Sequence, residues 1–341
     1  MDSKLYHRYW VKGTLRSFER TLCRKLHLAW KEPEVYAGRP IVPIAEAQTY
    51  IAERVLSGEP FAAGRLGGME LAAFWHQDAE HVVGPKLQCQ LIDGICNNAG
   101  FFPHDYSLLA RFAEVMREAS GQMDLYGIWF YLMEDYVIDA YGKPDMITTL
   151  PALEPWYVEH PWTAALAGKK VLVIHPFKDT ILSQYEKREK LFENPEIFPE
   201  LADLRVVKAV QTIAGNRDER FGDWFEALDW MYTEAMKADF DVAIIGCGAY
   251  GFPLAAKLKE AGKQAIHMGG ATQLLFGIKG GHWDTHPVIS KLYNEHWVRP
   301  AASETPQQHP ARAGRLLLVG LPHRPSRSFW LGSLHLPQNA A

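Results

Sequence analysis

The stretch Asp241-Val-Ala-Ile-Ile-Gly246-Cys-Gly248-Ala-Tyr-Gly251-Phe-Pro-Leu-Ala-Ala-Lys-Leu-Lys259 decides the fold. A short apolar run, a G-x-G-x-x-G turn and an apolar-periodic segment read as strand, glycine loop and helix. Glycines there let backbone come close to a phosphate, and the free N–H groups that start the helix carry the positive end of its dipole. A tight strand-to-helix packing turn with no ligand is the other reading of the same residues. The next strand, Gln264-Ala-Ile-His267-Met268, lacks the Asp or Glu that nicotinamide cofactors require for the ribose hydroxyls.

Outward from this unit, strands and helices alternate. Lys169 to Ile174 is a buried-strand run stopped by Pro176, and Leu204 to Val210 is another, with a charged helix expected around Gln184 to Leu191. A helix is expected from Phe221 to Lys237, a strand from Asp241 to Ile245, and a helix from Phe252 to Ala261. Earlier, Ile44 to Leu56 reads as a helix, Phe61 to Glu70 as strand, glycine turn and helix start, and Ser107 as the N-cap of a helix to about Ala119. This alternation predicts an α/β fold, a Rossmann-like and mainly parallel sheet with helices on both faces, over residues 40–300.

Loops that leave the C-terminal ends of adjacent parallel strands line one crevice. Three more segments therefore belong with Gly246, Gly248, Tyr250 and Gly251. One is Gly269-Gly270-Ala-Thr-Gln273-Leu-Leu-Phe-Gly277-Ile-Lys279-Gly-Gly281, two glycine loops around a short helix, in which Gly270, Gln273 and Lys279 can face a ligand. Another is Arg65-Leu-Gly67-Gly68-Met-Glu70. There the guanidinium fork suits phosphate oxygens and the carboxylate suits a divalent ion, although an ordinary ion pair explains the same spacing. The third is His175-Pro176-Phe177, whose imidazole is a candidate base or phosphate contact, or a satisfied structural residue. The pairs His76 with His81 and His282 with His286 make poor metal sites, since the first is off a one-turn helical register and the second lacks a third evident ligand.

Composition narrows the function classes. Of the 341 residues 48% are hydrophobic and 22% charged, with a formal charge of -4, so the chain is globular and has no global positive field for nucleic acid. Four scattered cysteines without a C-x-x-C pair read as reduced thiols in a cytoplasmic protein, and no apolar run reaches the roughly 20 residues of a membrane span. Neither a G-x-S-x-G elbow nor a P-loop occurs.

The two ends differ from the middle. Residues 1–33 read as a basic amphipathic helix in which Lys4, Arg8, Lys12, Arg16, Arg20 and Arg24 recur every fourth residue, so that the cationic stripe winds round the helix. Such a helix is either a solvated face packed on the main domain or a peripheral contact with an anionic membrane surface. Residues 301–341 read as a disordered tail; from Thr305 on they hold no Asp, Glu or Lys, a composition so unlike the rest that the reading frame itself looks unselected.

Taken together, Arg65-Leu-Gly67-Gly68-Met-Glu70, His175-Pro-Phe, Gly246-Cys-Gly-Ala-Tyr-Gly251 and Gly269 to Gly277 resemble the GT-D fold family of bacterial glycosyltransferases over about residues 50 to 290. In that family the first motif looks like R-x-G-D-x-E, whose carboxylates bind a divalent metal, Mn or Mg, and the diphosphate of a nucleotide sugar. Arg65, Gly67 and Glu70 match, but Gly68 stands at the aspartate position and removes one metal ligand. The resemblance implies transfer of a sugar from a nucleotide-diphosphate donor such as a UDP-sugar to a glycan or lipid-linked acceptor, with Glu70 and His175 nearest the chemistry. The alternatives are a non-catalytic nucleotide-sugar-binding relative and a dinucleotide-dependent oxidoreductase.

Overall fold

The structure, a computed structural model, describes residues 2–79 and 83–306. Nine strands form one sheet: β1 (Val35–Tyr36), β2 (Arg39–Val42), β3 (Phe61–Gly64), β4 (Leu125–Ile128), β5 (Met146–Thr149), β6 (Lys170–His175), β7 (Asp203–Lys208), β8 (Val242–Ile245) and β9 (Gln264–His267). Their order is β1-β2-β5-β4-β3-β9-β8-β6-β7, and every pairing except β1 with β2 is parallel. The expected α/β architecture is what the chain adopts.

Side chains that alternate along each strand feed two cores. Leu172, Ile174, Ala243 and Ile245 enter one, while Val171, Val173, Val242 and Ile244 enter the other. The first core is closed by helices α3 (Gly68–Trp75), α4 (Pro85–Ala99), α5 (Leu109–Gln122), α6 (Glu134–Tyr141), α8 (Trp224–Met236) and α9 (Gly251–Glu260). The second is closed by α2 (Ile44–Ser57), α7 (Lys178–Tyr185) and the short α10 (Thr272–Leu275). Strand β6 thus sends its helix α7 to one face, and the adjacent β8 sends α9 to the other. Crossovers that part in this way open a crevice at the C-terminal ends of the strands.

Helix α1 (Ser3–Lys25) starts at Asp2, whose carboxylate accepts from the N–H groups of Lys4 and Leu5, and it lies against α6. The winding of the cationic stripe carries Arg16 and Arg20 inward. Arg16 forms a buried ion pair with Asp135 at 2.9 Å, and Arg20 donates to the carbonyls of Trp129 and Phe130. The opposite face opens Val11, Leu15, Phe18 and Leu22 to solvent among charged residues.

Several local expectations change. The helix expected around Gln184 to Leu191 begins earlier and ends at Tyr185, and only a 3-10 turn, Arg188–Lys190, follows. Its start is fixed by Glu304, a buried carboxylate that accepts from the N–H groups of Asp179 and Thr180 and from the Thr180 hydroxyl. That contact also corrects the tail, for residues 301–306 are ordered onto α7, while 307–341 lie outside the described residues. Ser107 does not cap α5; Asp105 accepts from its N–H at 2.9 Å, and a 3-10 turn leads into the helix.

Candidate functional site

A cavity of about 590 Å³ occupies the crevice, and its walls come from the segments after β3, β6, β7, β8 and β9, together with the C-terminal end of α4. Arg65, Gly67, Glu70, His175, Gly246, Gly248, Tyr250, Gly270 and Gln273 all line it. Side chains from the first third of the sequence therefore share one space with glycine loops from the last third. The adjacency of β3 and β9 achieves this, with Ala63 opposite Ile266.

Arg65 follows the last residue of β3 and makes no hydrogen bond or ion pair with any described residue, and its Nε is buried without a partner. The guanidinium carbon lies 5.7 Å from the centre of the Trp129 ring, and the guanidinium also fills the space next to Gly269. Gly269 has φ +62°, a left-handed conformation, and a Cβ there would collide with the guanidinium. Only the Arg65 Nε is enclosed; the residue as a whole is half-buried and lines the cleft. A guanidinium placed in this way presents a planar fork that suits anionic oxygens.

Glu70 lies one turn into α3, and its carboxylate folds back over Gly67, where a Cβ would strike it. It accepts no hydrogen bond from any described residue. Among the described residues it is also the single carboxylate in the cavity wall, and no group of three or more His, Cys, Asp or Glu able to hold a metal occurs. The position next to it, where the resembled motif has an aspartate, is Gly68. A divalent ion requires several oxygen ligands. The side chains present do not build a resident divalent site, so a metal role for Glu70 is not supported by the donor set.

His175 closes β6 and is buried, which pushes its pKa down to about 3. Its Nδ1 accepts from the backbone N–H of Phe177 at 3.1 Å. That bond places the proton of the neutral ring on Nε2. The imidazole lines the cleft as a neutral ring with its proton on Nε2.

The glycine motif after β8 is dictated by close packing. Gly246 abuts Gly269, with a Cβ position 2.5 Å from the Gly269 carbonyl, and Gly248, at φ +59°, abuts the carbonyl of Ala99 at the end of α4. A 3-10 turn, Gly248–Tyr250, then leads into α9, whose N-terminal end borders the cavity. Gly251 does not reach the cavity wall. The His267 ring packs where its side chain would be, so its smallness serves packing. Tyr250 is buried with its ring stacked on Trp224 at 5.1 Å, and its hydroxyl donates to the Gly100 carbonyl, so it shapes the wall more than it offers a free donor.

In the next loop Gly270 contacts the Trp283 ring. Gln273 spends its amide N–H on the Ile278 carbonyl at 3.0 Å and keeps its side-chain oxygen available. Lys279 is not in the wall. The bridge between Ile278 and Val298 turns the chain, and the ammonium lies 5.3 Å from the centre of the Tyr293 ring. Of the histidine pairs, His76 donates from Nδ1 to the Ala72 carbonyl, His286 accepts at Nδ1 from the N–H groups of Val288 and Ile289, and His81 lies outside the described residues.

Two parts of the wall were not singled out from the sequence. Gln211 and Thr212 follow β7 as Pro176 and Phe177 follow β6, and their position after a strand was the available signal. The other is the loop 129–133 after β4, where Phe130 and Met133 hold positive φ of 61° and 65°. Glu134 pins this loop by accepting from the N–H groups of Trp129 and Tyr131 and from the Tyr36 hydroxyl, and burial raises its carboxyl to about 7. Tyr131 reaches the cavity wall and Trp129 shields Arg65. Non-glycine residues with positive φ concentrate at functional sites because the strain persists only where surroundings demand it.

No family model and no curated protein matches the chain. Among solved structures it is similar to a selenomethionine-substituted domain of unknown function 1792, at 13% identity and a TM-score of 0.37. It is also similar to a structure in which domain of unknown function 1792 is described as having a distinct glycosyltransferase fold, at 12% identity and a TM-score of 0.36. Each alignment covers 83% of this chain and 97% of the other. Superposition at that level leaves the chemistry of the cleft to its own residues.

Proposed function

We propose that the chain is a glycosyltransferase that takes a sugar from a nucleoside diphosphate donor. The observation that carries this reading is Arg65: a guanidinium on the cavity wall with no hydrogen-bond or ion-pair partner among the described residues, beside the glycine loops after β8 and β9. A diphosphate offers oxygens that Arg65 holds by charge-assisted hydrogen bonds, with the His175 ring and the Gly246–Gly248 turn beside it in the cavity wall. Charge on a departing diphosphate grows as the sugar leaves, and donors already aimed at it stabilise that charge most in the transition state. In the transfer, an acceptor hydroxyl oxygen bonds to the anomeric carbon while the bond from that carbon to the diphosphate oxygen breaks. The hydroxyl proton passes to Glu70, the free carboxylate of the wall.

A dinucleotide-dependent oxidoreductase fits less well, since β9 ends in His267 with no acidic residue for the ribose. A binding relative without catalysis is the second reading, favoured by Gly68 and the lone carboxylate. Calorimetry with UDP, in chelator and then in manganese, tests the donor site: binding of equal strength in both is expected, and a folded protein that binds no nucleoside diphosphate overturns the proposal. Slow hydrolysis of UDP-sugars by the same sample separates an enzyme from a binding relative.

A further inference from the structure

Helix α1 packs one face on the protein, with Tyr6 and Tyr9 in the core, and carries a second apolar stripe on its outward side. It buries Tyr6, Tyr9, Gly13 and Arg16 against the protein and exposes Val11, Leu15, Phe18 and Leu22, which recur at i, i+4, i+7 and i+11 and so form one stripe. Leu15 is 64% and Phe18 68% exposed. Beside that stripe stand the exposed cations Lys4, Lys12 and Lys25, and Glu19 is the one acidic residue of the helix. An apolar stripe flanked by cations is the pattern that lies in the interface of an anionic bilayer.

Next to the stripe, α1 turns the small residues Thr14, Ser17 and Thr21 toward α3 and the start of α4, and a groove of about 730 Å³ opens there. Its wall is mostly apolar, with Trp10, Phe18, Leu71, Trp75, Leu87 and Leu132. Gly68 lines both this groove and the cleft that holds Arg65 and Glu70. Loop 129–133 stands between them. Leu132 faces the groove, Tyr131 faces the cleft, and Arg20 of α1 holds the loop by the Trp129 and Phe130 carbonyls.

We propose that α1 docks the protein on an anionic lipid surface and that the groove takes the hydrocarbon chain of a lipid, so that the lipid's polar head lies at the Gly68 end of the cleft. The naming of that lipid as the sugar acceptor rests on the transferase reading above; the docking does not. Charge sets the choice of occupant. A second copy would bring the same cations face to face, and the sequence beyond residue 306 carries Arg312, Arg315, Arg324 and Arg327 without an acidic residue, so both repel this face where anionic lipid attracts it.

The full-length protein is sedimented with vesicles of phosphatidylcholine and phosphatidylglycerol in equal parts, and with vesicles of phosphatidylcholine alone. Binding to the mixed vesicles, lost at high salt and at least about tenfold weaker for Leu15→Glu/Phe18→Glu, is expected. Both positions are exposed, so the variant keeps its melting temperature and its affinity for UDP, which makes failure of docking distinguishable from failure of the donor site. Phosphatidylglycerol with brominated chains quenches tryptophan emission in the unaltered protein and less in Trp10→Phe. Absence of binding to mixed vesicles, equal binding by the double variant, or quenching that Trp10→Phe leaves unchanged overturns the proposal. So does a dimer that the double variant abolishes in a protein that ignores vesicles.

Discussion

The guanidinium of Arg65 fills the space that a Cβ on Gly269 would need, so the arginine that follows β3 and the glycine after β9 form one seat at the cleft wall. The pairing ties the earliest motif of the cleft to the latest. Arg65→Ala is expected to weaken UDP binding about 10- to 100-fold, the equivalent of the roughly 1.5–3 kcal/mol of a hydrogen bond to a charged group, while the melting temperature holds. The second half follows because the cation has no partner in the fold to lose. Calorimetry and thermal melts measure the two parts.

Gly269→Ala acts on the same seat from the other side. A side chain at φ +62° costs about 1–2 kcal/mol of stability and displaces the guanidinium from its place. UDP affinity is expected to fall at least about tenfold, with a modestly lower melting temperature; unchanged affinity would show that Arg65 does not hold the diphosphate.

Glu70→Gln keeps the shape of the wall and removes its one carboxylate. UDP affinity is expected to change little, whereas donor turnover falls by about 10²–10⁴, the usual contribution of a general base. Turnover that survives the substitution removes Glu70 from the chemistry.

Glu154 is buried, accepts from the Trp156 indole N–H at 3.1 Å, and has its carboxyl raised by burial to about 8. Its folded value lies above its unfolded one, so its stabilisation is complete below about pH 4.5 and is lost as pH rises toward 8. Glu154→Gln keeps the acceptor for Trp156. Between pH 6 and 8 the melting temperature of the unaltered protein is expected to decline relative to that of the variant, by about 1.4 kcal/mol per pH unit in stability at the steepest point.

His175 has the opposite sign. Burial depresses its folded value to about 3, so its contribution is present above the ordinary value of 6.5 and is lost as pH falls toward 3. His175→Asn retains an acceptor for the Phe177 N–H and does not titrate. Acid titration of stability, followed by circular dichroism, is expected to be shallower for the variant below pH 6.5; equal slopes would mean that His175 is protonated freely in the fold.

Much of the architecture was legible along the chain. Strand and helix periodicity from Lys169 to His267, the glycine turn at Gly246 and the helix after it are local properties, set by side-chain alternation, turn chemistry and the dipole of a single helix. The grouping of Arg65, Glu70, His175 and Gly248 was also readable, because parallel strands place their following loops at one edge. Lys279 and Gly251 were not, because the bridge from Ile278 to Val298 and the packing of His267 are contacts with distant chain.

What the amino-acid order determined by itself is therefore the sheet, the position of its glycine loops and the basic character of the first helix. Tertiary structure alone decided that β3 pairs with β9, that Arg65 is left without a counter-ion, that His175 is buried with its proton on Nε2, and that α1 turns Arg16 inward and Leu15 outward. The physical reason is common to all four. Charge state and burial depend on which atoms crowd a group, and those atoms come from segments that only the folded sheet brings together.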